Sequence, residues 1–225
     1  MAGLLESLDA EETLERRRHR HWYDRLMMLA DGVFAVALTF LAVDVGTAPA
    51  GWTGSLGALW AHLGPQLETY AISFLVISIY WLAHRRFMSM VLTVDAPLTV
   101  LTLVMLGLVA LLPPATRLIQ GYEMYPAARL TYSALVVAIG VSMAAMWGYA
   151  SLVARVVVSE VSVRARWFLM ALMALTPPVV LSLNFALPGA PPAGVVPAVL
   201  LVLFVVGWRM RRWILRRLGG GPFVG

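Results

Sequence analysis

The sequence contains no cysteine and no lysine, and only 13% of its 225 residues are charged. Without cysteine there is no disulfide, no thiolate-held zinc and no thiol nucleophile. A charged fraction near half the ~25% of soluble domains, beside 60% hydrophobic residues, excludes a water-soluble globule and predicts a chain that crosses the membrane several times. Catalytic signatures are lacking too: there is no H-E-x-x-H, no Gly-rich phosphate loop and no G-x-S-x-G,. The four histidines, His19, His21, His62 and His84, do not stand at metal-ligand spacing,. No enzyme activity, cofactor or resident metal is therefore expected. The arginines are not gathered on a soluble face, so no nucleic-acid partner is expected either. The TVGYG run from which carbonyl-lined potassium filters are built is also missing,.

What the chain does have is apolar runs, and the first of them carries charge. Residues 25–45, RLMMLADGVFAVALTFLAVDV, would form a helix of roughly 30 Å, the thickness of a hydrocarbon core. Asp31 lies about 9 Å along the axis from Arg25, too deep for an interfacial charge, which makes it a candidate functional residue. Asp44 closes the other end. On a helical wheel Thr39, Phe40 and Val43 fall within about 60° of Val36, whereas Asp31 sits about 140° from it. The carboxylate and the apolar stripe therefore cannot face the same surroundings. The stripe serves either simple packing or a path. Asp31 makes either a helix-locking hydrogen bond or a functional contact, and would be buried among sibling helices with Arg25 or His84 as partner.

Further spans are expected at residues 65–81, opened by Pro65 in its first turn, at 97–112, broken or kinked by Pro113-Pro114, and at 127–153. Two more follow at 167–187, kinked at Pro177-Pro178, and at 195–208. This predicts an all-α, six-span protein. A cytoplasmic amphipathic and basic arm (1–21) precedes the transmembrane domain (22–215), and a cytoplasmic tail (216–225) follows it. The acidic first fifteen residues do not read as a cleavable signal,, and residues 46–64 read as an outer loop. Fifteen of the seventeen arginines fall on one side of this arrangement and only Arg117 and Arg129 on the other. Both termini are accordingly expected in the cytoplasm. Most tryptophans fall at inner span ends, with Trp52 and Trp60 on the outer side, as an interfacial belt requires. Trp81 and His84 are helical neighbours at the depth of Arg25 and Asp31, so a polar cluster of the four is feasible. Asp44, repeated in a symmetric oligomer, would form a ring that concentrates cations.

The residues Arg25-x-x-x-Leu29-Ala30-Asp31-Gly32, with the Thr-containing apolar run behind them, resemble the first-helix signature of the transmembrane protein 175 family, R-x-x-x-F-S-D-G/A. Tyr70, Ser73, Phe74, Trp81 and His84 are similar to its Y-x-x-S-F and W-x-x-H elements, and Pro113 to Thr116 to its P-x-x-T. Leu29 and Ala30 replace the family's Phe and Ser. The resemblance implies a potassium-permeable cation channel of the prokaryotic plasma membrane, with other monovalent cations as further candidates. It implies a homotetramer around the first helix, in contact with membrane lipid. Rings at Val36, Phe40 and Val43, with Thr39 as polar neighbour, would form a hydrophobic constriction in place of a filter. Arg25, Asp31, Trp81 and His84 would hold the first helix, and Asp44 would stand at the outer mouth. The alternative is a secondary transporter or proton-coupled carrier that uses Asp31 as its relay.

Overall fold

The computed structural model describes residues 2–43, 45–46, 50–122, 124–158, 162–164 and 166–171, with side chains described from residue 21 onward. Over this range the chain is all-helical, and its only β pairing is an isolated antiparallel bridge between Val91 and Val157. Helix α1 runs Ala2–Val43, α2 Leu56–Met88, α3 Ala96–Ala110, α4 Leu112–Gly121 and α5 Pro126–Gly148, the last continuing into one π-helical turn, Tyr149–Val153. Four stretches are long and apolar enough to cross a membrane: His21–Val43, Leu56–Met88, Ala96–Gly121 and Pro126–Val153. The spans expected at 195–208 and over most of 167–187, with the kink at Pro177-Pro178, lie outside the described residues.

Three features differ from the expectation. The arm and the first span are one continuous helix of 42 residues, about 63 Å long, because nothing between the polar arm and the apolar run breaks a helix. The outer loop is shorter than expected, since α2 begins at Leu56 and Pro65 lies inside it. Ser55 makes this start: its side chain accepts from the Ala58 N–H, and its carbonyl accepts from the Trp52 indole at 2.8 Å. A cap of this kind satisfies an N–H with no partner inside the helix, and Pro65 then removes only one backbone bond further along. Trp147, expected in the inner belt, is instead fully buried, edge-on to Phe87 at 5.5 Å, with its indole donating to the Arg166 carbonyl.

The break at the double proline is in place. Helix α3 stops at Ala110, Leu111 forms the joint, and α4 starts with Pro113 and Pro114 in its first turn, where their missing N–H groups would be unpaired in any helix. The core lies between α1, α2, α3 and α5, with Phe34 and Leu41, Ile77 and Phe87, Met105, and Ile139 and Met143 all at most 2% exposed. The loop after α2 is fastened to the segment after α5: Leu92 N–H donates to the Val156 carbonyl at 2.8 Å and Val158 N–H to that of Met90 at 3.0 Å. Asp95 caps α3 through one carboxylate oxygen and accepts the Tyr149 hydroxyl with the other.

Candidate functional site

Helix α1 divides into two unequal halves. Leu26, Ala30, Phe34, Ala37 and Leu41 recur every three or four residues and are buried against the other helices, with Phe34 and Leu41 each at 1% exposure. The opposite side is bare. Val36 and Phe40 are each 52% exposed and Val43 71%, and Thr39 between them is exposed as well. The uncovered arc, taken at 100° per residue, runs from Asp31 at one edge to Phe40 at the other, about 180°. Single exposed apolar side chains are ordinary, but a continuous stripe marks a surface meant to be covered. The Thr39 hydroxyl donates back to the Val36 carbonyl at 2.9 Å. Its proton is thereby engaged in its own helix, and only its oxygen lone pairs turn outward.

Asp31 is exposed on the isolated subunit, not buried among its helices. Its position at the edge of the arc brings it beside α2, where the Trp81 indole N–H donates to Oδ1 at 2.8 Å. The expected partners are placed otherwise. Arg25 is exposed and forms no ion pair with Asp31 among the described residues; six residues apart on one helix, the two side chains point about 120° apart. His84 is 1% exposed, neither ring nitrogen has a hydrogen-bond partner among the described residues, and its ring lies tilted against Phe34 at 6.0 Å. Asp44 lies outside the described residues.

Two participants were not read from the sequence. The Arg85 guanidinium lies over the Trp81 ring, 5.6 Å from its centroid, and so steadies the indole that holds Asp31. The signal in the sequence is its spacing of four residues from Trp81, which makes the two neighbours on one helix face. Tyr23, near the start of the membrane-length stretch of α1, donates its hydroxyl to the Met88 carbonyl at the end of α2, at 2.9 Å.

Behind α1, the residues of the second and third resembling motifs meet one another. The Thr116 hydroxyl lies 2.9 Å from both the Ser73 hydroxyl and the Leu112 carbonyl, and Ser73 lies 3.3 Å from the Tyr132 hydroxyl. Ser73 and Thr116 are 2% and 1% exposed, so this chain of hydroxyls ties α2, α4 and α5 together just past the proline break. Removing one member strands its neighbours. Thr116→Val is expected to destabilise the protein by about 1–3 kcal/mol with its shape preserved, measurable as a lower unfolding temperature in detergent.

The described residues are all-helical and hold four helices long and apolar enough to cross a membrane, the architecture of a multi-pass membrane protein. Residues 25–113 match the family model described as the endosomal/lysosomal potassium channel TMEM175. Proteins named potassium channels from Streptomyces collinus and Chamaesiphon minutus are 35% and 29% identical over 131 and 136 residues. These matches cover 55% and 56% of this chain and 62% and 65% of those relatives, so the similarity spans less than two thirds of their length. The fold resembles the crystal structure of a TMEM175 homologue from Chamaesiphon minutus, described as a lysosomal potassium-selective channel homologue. The TM-score is 0.63 at 23% identity, over 84% of this chain and 98% of that one.

Proposed function

We propose that this chain forms a potassium-permeable cation channel of the prokaryotic plasma membrane, a homotetramer of six-span subunits with both termini in the cytoplasm and α1 at the axis. The observation that carries this reading is the bare face of α1: Val36, Phe40 and Val43 are 52%, 52% and 71% exposed, while Phe34 and Leu41 on the same helix are each 1% exposed. The potassium-channel names of the relatives supply the ion. One subunit cannot enclose a pore with a single helix, but four copies of this face can converge. Converging apolar rings exclude water from the neck, and an ion there loses hydration without a carbonyl cage to replace it. Gating then consists of wetting and dewetting.

In this reading Asp31 is architectural. Trp81 holds one of its oxygens, and its other side is open to a neighbouring subunit. A carrier would need Asp31 on the transport path, and the angle of about 140° from Val36 turns it away from the stripe. Asp44 stands at the outer mouth, and other monovalent cations share the path to the extent that the neck admits them.

Because the chain has no cysteine, single-Cys variants report positions without background. Cysteines at 36, 39, 40 and 43 are expected to form intersubunit crosslinks in the purified oligomer. A cysteine at 31, on the edge beside Trp81, should crosslink poorly. Efficient crosslinking at 31 with none at the other four would reject α1 as the axial helix in this orientation.

A further inference from the structure

Beyond Leu41 packing no longer holds α1: Ala42 and Val43 are exposed, and Val43 is the outermost residue of the stripe. Past Val43 the chain is tied back to the rest of the subunit by a hydrogen bond. The Gly46 backbone N–H donates to Oε1 of Gln66 on α2 at 2.8 Å. The approach is close: a Cβ at position 46 would stand 2.8 Å from that same oxygen, so any larger residue must displace the Gln66 amide.

Gln66 is fastened in turn. Its Nε2 donates at 3.4 Å to the His62 carbonyl one turn back on α2, and its own carbonyl accepts from the Gln120 amide on α4, also at 3.4 Å. Gly46 N–H can only donate and the His62 carbonyl can only accept, so the Gln66 amide has one satisfying orientation. One uncharged residue thus joins the exit of α1 to α2 and α4, through a contact that salt does not screen.

We propose that Gln66 is a positioning residue for the outer end of the pore. By holding Gly46, about one turn beyond Val43, it sets how far the Val43 turn stands from the axis and so sets the width of the outer mouth. This rests on the channel reading above. A hydrogen bond of ordinary net strength favours the tied strap over the released one about fivefold, so its removal should expose a second position of the α1 exit.

The test combines distance and conduction measurements on the full chain in lipid nanodiscs and planar bilayers. Spin labels are placed at Val43→Cys and Leu130→Cys within one subunit, diluted with unlabelled subunits, so that the distance is read whether or not the subunits assemble. Gln66→Met keeps the length of the side chain and removes the acceptor. Gly46→Ala pushes a methyl into the same oxygen. Both are expected to broaden or shift the distance distribution, the double variant no more than either alone, and Gln66→Glu, which keeps an oxygen for the Gly46 N–H, is expected to retain the native distribution. Gln66→Met should also change unitary conductance. An unmoved distance in both single variants overturns the proposal, as does a moved distance with unchanged unitary conductance. A moved distance in a chain whose unsubstituted form passes no potassium current overturns the channel reading and the mouth-setting role, and leaves Gln66 as the residue that places the α1 exit.

Discussion

Phe40→Ala is expected to raise potassium flux about tenfold or more and to admit cations larger than potassium. Phe40 is the bulkiest side chain on the bare stripe of α1 and is half exposed on the isolated subunit. In the proposed tetramer four such rings would converge on a neck whose polar group is the Thr39 hydroxyl, its proton already given to the Val36 carbonyl. Stripping part of an ion's hydration there costs several kcal/mol with nothing in exchange. Lowering that barrier by only about 1.4 kcal/mol multiplies the rate tenfold, and four methyl groups in place of four rings widen the neck enough for an ion to keep more of its water. Val36→Asn, one turn further in, acts by the opposite chemistry: it brings amide groups into the neck, wets it and weakens discrimination between cations. Liposome flux with potassium, sodium and a bulky organic cation separates the two effects. Unchanged potassium flux in both variants would place the constriction elsewhere on the chain.

The second large effect concerns the fastening of the same helix. Trp81→Phe keeps an aromatic ring under the Arg85 guanidinium but removes the N–H that Asp31 accepts at 2.8 Å. A hydrogen bond to a charged group contributes about 1.5–3 kcal/mol, reduced toward the lower end here because Asp31 is exposed on the subunit,. The expected result is a loss of assembled oligomer, or of open probability, with little change in ion preference. Asp31→Asn keeps an amide oxygen for the Trp81 N–H and should be milder than Asp31→Leu, which keeps none. Asp31→Leu and Trp81→Phe should be non-additive, since each removes the same bond,. Native mass spectrometry reads the oligomer and reversal potentials read the preference. An intact oligomer with inverted ion preference in Asp31→Asn would put that carboxylate on the ion path.

The parts of this account that were legible in the sequence are those that depend on one helix at a time. The period of Val36, Thr39, Phe40 and Val43 separates a stripe from Asp31 because a helix has fixed angular geometry. The apolar runs mark the spans because the bilayer has fixed thickness, and Pro113-Pro114 marks the joint because proline cannot sit inside a helix without removing a bond. The start of α2 was misplaced for a local reason: Pro65 is a louder signal than Ser55, yet Ser55 makes the cap. What was not legible depends on which residues of different helices meet. Trp81 lies 50 residues from Asp31, and Thr116 lies 43 from Ser73. Both pairs were singled out by motif, but only packing shows that Trp81, not Arg25 or His84, bonds to Asp31. It also shows that the Ser and Thr of separate motifs bond to each other. The Gly46–Gln66 contact involves two residues with no distinguishing pattern, and nothing short of the folded chain brings them together.

The most direct test of the central claim is single-channel recording of the purified protein reconstituted in a planar bilayer under a potassium gradient. The account predicts discrete unitary currents that reverse near the potassium equilibrium potential and grow in Phe40→Ala. A steady potassium-dependent flux without unitary steps, abolished in Asp31→Asn and indifferent to Phe40→Ala, would contradict it and identify a carrier.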